Sequence, residues 1–196
     1  LDAALKMMTS EQLKAFDVAG EPQAVRDAYG DSQFGRACLI GRRLVEQGVR
    51  VIEITLQNFD THENNFTRTR ELAATLDPAF AALVADLAQR DLLDSTVLLC
   101  LGEFGRTPKI NAKEGRDHWP AAFSCLVGGG GLTPGVLIGA TDPTGERKEP
   151  DDPIQISDLY ATILRAMSID PAHQSPTPIG RPMKYSDGTV IPKLLS

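Results

Sequence analysis

Apolar residues along this chain follow two rhythms, one near the helical period and one that alternates or runs unbroken as strands do. Residues 1–29 read as helix-forming, first "LDAALKMMTSEQLKAF" and then "EPQAVRDAYG". Pro22 at a start and Gly30 at an end fit the usual helix asymmetry. In "FGRACLIGRRLVEQG", Phe34, Cys38, Leu39, Leu44 and Val45 recur at helical spacing, and Gly48 stops the run. The β-branched "VRVIEITL" predicts a strand. From about Phe66 to Gln89 the pattern is a long amphipathic helix, with Leu72, Leu76, Phe80, Leu83, Val84 and Leu87 on one face and Pro78 as a kink or restart. "STVLLCL" and "AFSCLV" read as further strands and "GVLIGAT" as a short one. "ISDLYATILRAMSI" reads as a helix capped by Ser157, with Leu159, Ile163, Leu164 and Met167 inward. The tail "PAHQSPTPIGRPMKYSDGTVIPKLLS" is proline-rich and expected to be mostly irregular.

Alternating helices and strands imply an α/β fold, an α/β/α sandwich with a largely parallel sheet. In such sheets ligands bind beyond the carboxyl ends of the strands. The polar stretches "DTHENN" and "GEFGRTP" follow predicted strands directly. "GRDHWP" precedes its strand, so it must fold back over the same edge to join them. The connection carrying both "GEFGRTP" and "GRDHWP" is long enough to suggest a functional role.

The chain has 196 residues, the size of one domain, and residues 1–196 are expected to form a single one. Its net charge of -6 and the lack of a basic run exclude bulk nucleic-acid binding. No apolar run reaches the ~18 residues of a membrane span. Cys38, Cys100 and Cys125 are far apart in sequence with no CxxC spacing, which argues against a thiolate zinc site or a disulfide framework. They read as buried structural thiols. The sequence opens inside a helical pattern with no initiator methionine and no signal sequence, so a piece of a longer protein is expected.

A metal site needs imidazoles and ionised carboxylates gathered from several loops. The candidates are Asp60, His62, Glu103, Asp117 and His118. Asp60 and His62 are two apart, a spacing that points both the same way at a strand end. Asp117 and His118 are adjacent, so one can ligate while the other orients it. Taken singly, each has a plainer explanation: a solvated loop histidine, a turn glutamate, an aspartate paired with its neighbouring arginine. Three such loops at one sheet edge favour a site. A mixed imidazole and carboxylate set suits zinc, manganese or iron better than calcium. Arg106 and Arg116 are forked donors for a phosphate, sulfate or carboxylate oxygen, or else partners of Glu103 and Asp117. Asn64 and Asn65 are read as helix caps before substrate contacts. Trp119 either stacks on a sugar or base, or plugs the core, and the plug is favoured. The run Gly128–Gly131 lacks the Lys-Ser/Thr of a phosphate-binding loop and reads as a flexible turn. His173 has no carboxylate cluster beside it.

"FGRACLIGRRLVEQGVRVIEI", "DTHENNF", "GEFGRTPKIN", "GRDHWPAAFSCLVGGGG" and "GATD" together resemble the DUF1501 family, abundant in planctomycetes, over nearly the whole chain. More widely, "TVLLCLGEFG" and "ISDLYATILRAMSI" resemble a metal-binding strand and its following helix in the alkaline phosphatase–sulfatase superfamily. The resemblance implies an α/β/α core with a centre of one or two metals. It makes Asp60 and His62 ligands, puts Glu103 where an aspartate ligand usually stands, and makes His118 the late histidine with Asp117 beside it. Phe104 stands where the superfamily has a histidine. The nucleophile and an early metal-binding aspartate of that superfamily fall in an N-terminal half with no counterpart in these 196 residues. Export is implied by the family.

The expectation is therefore the C-terminal portion of an exported, metal-dependent hydrolase acting on phosphate or sulfate esters, weak or inactive as this chain alone. Its partner is a small anionic ester or a sulfated or phosphorylated sugar. One alternative is a non-catalytic module that binds a metal or an anionic sugar with Trp119 as a wall. Another is a scaffold whose acid–histidine loops are only hydrogen-bonded.

Overall fold

The computed structural model of the protein describes residues 10–147 and 149–196. Its contacts separate into two units. One comprises the described residues up to Leu92 together with Ala112–Gly115, the other Leu93–Asn111 and Arg116–Ser196.

The first unit is helical. The opening residues of the expected N-terminal helix lie outside the described residues. Its remainder forms two 3-10 turns, Glu11–Phe16 and Val18–Gly20, in place of an α-helix. Ser10 and Asp17 offer side-chain oxygens to the amides of Gln12 and Ala19, the local bonds that draw such residues into turns. Helix α1 (Gln23–Tyr29) starts after Pro22 and ends at Gly30, as their placement predicts. Helix α2 (Gln33–Glu46) is capped by Ser32, whose hydroxyl accepts from the Gly35 amide at 2.9 Å. Helix α3 (Asn65–Gln89) runs through Pro78 without interruption. Proline removes one amide donor there, and its exposed position leaves room for the ring on the solvent face. Ala79, Leu83 and Leu87 form the buried stripe of α3, flanked by half-buried Leu72, Leu76, Phe80 and Val84. That stripe packs on α1 and α2, and Ala15, Tyr29, Cys38 and Leu39 are the other buried apolar residues of this unit among those described.

An ionic network crosses this helical core. Arg42 is 1% exposed, with Nη2 2.7 Å from Glu21, Nη1 2.7 Å from Glu46 and Nε 2.8 Å from Asp86. The Nη1 contact is an aligned hydrogen bond, while Nε and Nη2 are ion pairs without that alignment. Tyr29 Oη donates to Asp86 at 3.0 Å, Arg43 pairs with Glu21, and Arg90 bridges Asp86 and Glu46.

The predicted strand "VRVIEITL" joins no ladder among the described residues. It keeps the alternation of one, with Ile52, Ile54 and Leu56 half-buried and Val51, Glu53 and Thr55 exposed. Ile54 lies directly over Gly41 of α2, where a β-carbon would stand 2.8 Å from its Cδ1.

The second unit holds the strands. β1 (Val97–Cys100) pairs with β4 (Leu126–Gly129), β2 (Gly105–Arg106) with β3 (His118–Trp119), and β5 (Gln174–Pro176) with β6 (Pro182–Lys184). All three ladders are antiparallel, so the expected largely parallel sheet is not what the described residues form. A parallel pair needs a long crossover, usually a helix. Between β1 and β4 there is no helix, only the loop that carries β2 and β3. "AFSCLV" enters its ladder only at Leu126, which leaves Cys125 exposed at its mouth and Cys100 half-buried, so only Cys38 is a buried thiol. "GVLIGAT" makes a single bridge, Ala140 to Asp151. The glycine run ends β4 in register with β1, Val97 opposite Gly129.

Helix α4 (Ile156–Ala166) buries Leu159, Ala161, Thr162 and Leu164, each large apolar side chain contributing ~1.5–3 kcal/mol. Ser157 is not its cap: the helix begins at Ile156, which puts Ser157 inside the first turn. Met167 lies beyond the last turn and is exposed. The tail is more ordered than its composition suggests. The β5–β6 hairpin closes it, His173 stacks at 5.1 Å on Tyr185, and Leu194 is buried. No described helix is long and apolar enough to cross a membrane.

Candidate metal centre

In the first unit the "DTHENN" loop leads into α3. Thr61 is 2% exposed and its hydroxyl donates to Asn65 Oδ1 at 2.6 Å. With Thr61 turned in, its neighbours Asp60 and His62 turn out together, as alternate residues of an extended chain do. His62 Nε2 lies 3.0 Å from Asp60 Oδ1, with the side chains 41% and 58% exposed. An ion has access to both.

The loop is held by the segment just before "RDHWP". Asn64 adopts a left-handed conformation at φ 50°. Its amide donates to the Lys113 carbonyl at 3.1 Å, and the Asn65 amide donates to the Glu114 carbonyl at 2.8 Å. These carbonyls satisfy amides at the start of α3 that helix geometry leaves open. The asparagine side chains, expected as caps, are not needed for it: Asn64 makes no side-chain cap bond, and Asn65 accepts from Thr61. Gly115 packs on the backbone of His62, and a β-carbon there would lie 1.7 Å from the His62 carbonyl oxygen. Lys113 Nζ donates to Glu63 at 2.5 Å on the surface, and this bond holds the Glu63 carboxyl below its usual range.

In the second unit "GRDHWP" folds back onto "GEFGRTP". Arg106 stands opposite His118 and Gly105 opposite Trp119. The Thr107 amide donates to the Asp117 carbonyl at 2.9 Å, and the Asp117 amide donates to Thr107 Oγ1 at 3.1 Å. Arg116 Nη1 donates to the carbonyls of Thr107 and Pro108 at 2.6 and 2.7 Å. Asn111 Nδ2 donates to Asp117 Oδ1 at 3.0 Å. The imidazole of His118 lies 4.5 Å from the Phe104 ring, and the Arg106 guanidinium sits 5.5 Å over the same ring. Phe104, at the position where the resemblance has a histidine, is therefore a packing surface for His118 and Arg106. Glu103 is exposed on the turn before β2.

Among the described residues, neither unit by itself gathers three histidine, cysteine or carboxylate donors. The candidate ligands divide as Asp60 and His62 in the first and His118 in the second. The first pair fits a metal. Two donors on a tetrahedral ion with bonds of about 2.0–2.2 Å stand roughly 3.3–3.6 Å apart. The 3.0 Å between His62 and Asp60 needs only a small opening to meet that.

One feature beside His118 has no single signal in the sequence. A cleft of about 250 Å³ in the second unit is lined by Phe104, Arg106, Trp119, Phe123, Ser124 and Thr141, among others. Trp119 is half-buried and forms a wall of this cleft, where its sequence context favoured a core plug.

A family model described as "Protein of unknown function (DUF1501)" matches residues 1–195. No curated protein and no solved structure matches the chain.

Proposed function

The chain belongs to the DUF1501 family, a family of unknown function, and from its candidate metal ligands and the resemblance to alkaline phosphatase- and sulfatase-like enzymes we propose a metal-dependent hydrolase of phosphate or sulfate esters, weak or inactive as this chain alone. The proposed ligands are Asp60 and His62 of the first unit and His118 of the second. The observation that carries the reading is the Asp60–His62 pair, a carboxylate and an imidazole 3.0 Å apart and open to solvent.

When bound, a zinc, manganese or iron ion would polarise an ester oxygen and offset negative charge that develops on it. The chain's own residues do the rest. Arg106, held against Phe104 and opposite His118, receives the anionic group. Arg116 fixes the loop by its bonds to Thr107 and Pro108. Asp117, held by Asn111, orients that loop or serves as a further ligand, and Glu103 keeps the ligand place the resemblance gives it. The α/β/α architecture and the export of alkaline phosphatase- and sulfatase-like enzymes belong to this same proposal.

The test is calorimetric titration of the purified, metal-stripped chain with zinc and with manganese. About one equivalent is expected, lost in His62→Ala and in His118→Ala. Less than ~0.1 equivalent, with no rise in the unfolding midpoint, would refute the metal reading. Chelator-sensitive turnover of an aryl phosphate or sulfate would establish the hydrolase over a purely binding module. Trp119 in an open cleft is the observation that favours the module.

A further inference from the structure

Three of the few aromatic residues of this chain, where aromatics make up 6%, converge on one cleft of the second unit rather than on its core. Phe104 lies on one side and Trp119 and Phe123 contribute further walls. All three are half-buried, so part of each ring surface is open to a ligand. The hydroxyl residues Ser124 and Thr141, both exposed, also line the cleft, and Arg106 is the charged residue of the lining.

The cleft is built by close backbone packing. A β-carbon at Gly105 would lie 1.7 Å from the Ala122 carbonyl oxygen, so the segment before β4 is pressed directly on β2. The cleft's volume of about 250 Å³ falls below the roughly 300–1,000 Å³ typical of drug-sized ligands, which leaves room for one ring and its substituents.

We infer that this cleft is a subsite for a single sugar ring carrying an anionic ester, with the apolar face of the ring on Trp119, its hydroxyls at Ser124 and Thr141, and the ester anion at Arg106. A sugar ring needs one aromatic face and hydroxyl partners around its edge, and the cleft supplies both. The guanidinium is a fork of donors matched to phosphate or sulfate oxygens. It lies 5.5 Å over the Phe104 ring, which also lines the cleft. The inference rests on the proposed function in one respect, the choice of an ester anion for Arg106. It does not require a metal.

Trp119 is the only tryptophan, so its emission reports this cleft and nothing else. The experiment titrates the metal-stripped full chain with glucose 6-phosphate, glucose 6-sulfate, free glucose and inorganic phosphate. A saturable change in emission is expected with the two esters, at least about tenfold tighter than with glucose or phosphate alone. Arg106→Gln should weaken the esters about tenfold or more while glucose is unaffected. Thr141→Val, on an exposed loop, should weaken esters and glucose alike, and far-ultraviolet circular dichroism shows that both variants are folded. Equal binding of inorganic phosphate would leave an anion site with no ring subsite and overturn the inference. So would tight binding of an adenine nucleotide with none of the sugar esters, or an ester affinity untouched by Arg106→Gln. If zinc binds but the sugar esters do not, this inference alone fails. If the esters bind the stripped protein but zinc does not bind, the metal reading alone fails.

Discussion

Gly115 lies so close to His62 that no side chain fits between residue 115 and the histidine's carbonyl oxygen, since a β-carbon would come within 1.7 Å of it. The contact is backbone on backbone, so neither partner can yield by a rotamer change. Gly115→Ala must push the "DTHENN" loop off the 113–115 segment, and the Asn64–Lys113 and Asn65–Glu114 bonds go with it. The expected loss is ~1–3 kcal/mol or more, as in overpacked sites. Urea unfolding measures it, and an unchanged midpoint would contradict the close approach. Zinc affinity should fall in the same variant, because His62 sits on the displaced backbone.

Arg42 and Arg90 give a contrast within one network. Arg42→Met leaves the carboxylates of Glu21 and Asp86 inside the helical core without the cation that pairs with both, a change that costs about 3–5 kcal/mol. Arg90, 36% exposed, touches Asp86 and Glu46 from the rim, and Arg90→Met should cost less than ~1 kcal/mol. Thermal unfolding of both variants tests this, and equal losses would mean that Arg42 is not the centre of the cluster.

Acid should weaken the first unit through the same residues. Burial acts to raise the Glu21 carboxyl, but the bonds and charges of Arg42 and Arg43 outweigh it and hold it below the usual range. Asp86 is held low in the same way, burial opposed by Arg90, Arg42 and the Tyr29 hydroxyl. A carboxyl depressed in the folded state binds its proton more readily when unfolded. Its stabilisation is therefore complete above the unfolded carboxylate range, near pH 4, and drains away as pH falls toward the folded value. Denaturation midpoints from neutral to strongly acidic pH should fall in that window, and Glu21→Gln should flatten part of the fall. A wild-type midpoint constant through that window would rule the linkage out.

Metal should stabilise the fold by mass action. With zinc at about a hundred times its dissociation constant the gain is ~2.7 kcal/mol, and a chelator should reverse it. Differential scanning fluorimetry reads the shift directly. His62→Ala and Asp60→Ala should abolish it, whereas His173→Ala, in the β5–β6 hairpin region and stacked on Tyr185, should leave it intact. A shift that survives His62→Ala would place the metal elsewhere.

The helices were legible in the sequence because their signals are local. Pro22 and Gly30 bound α1, and the apolar stripe from Leu72 to Leu87 traces α3 even across Pro78. Strand partners were not legible. The residues of β1 announce a strand but not that Cys100 pairs with Leu126 in the antiparallel sense. The same holds for Val51–Leu56, which alternates like a strand and joins no ladder among the described residues. In the candidate site, residue types and spacing singled out Asp60, His62, Glu103, Asp117 and His118, because carboxylates and imidazoles recur in its polar loops, but did not distinguish Asp60, His62 and His118 from the other two. The contacts that hold them were hidden. Gly115 against His62 and Arg116 on the carbonyls of its own loop are contacts that no periodicity records. Arg42 was likewise masked, since only its helical neighbour Glu46 is close in sequence.

The amides at the start of α3 are met by carbonyls of Lys113 and Glu114, residues made about fifty positions later. On the ribosome, that delay has a duration. At ~5–20 residues per second, α3 waits several seconds with its first turn open before the segment that closes it is even synthesised. The "DTHENN" loop is thus among the last parts of the first unit to settle. A translational pause in that interval would prolong a state in which the helix is complete and the residues proposed to bind metal are not yet set.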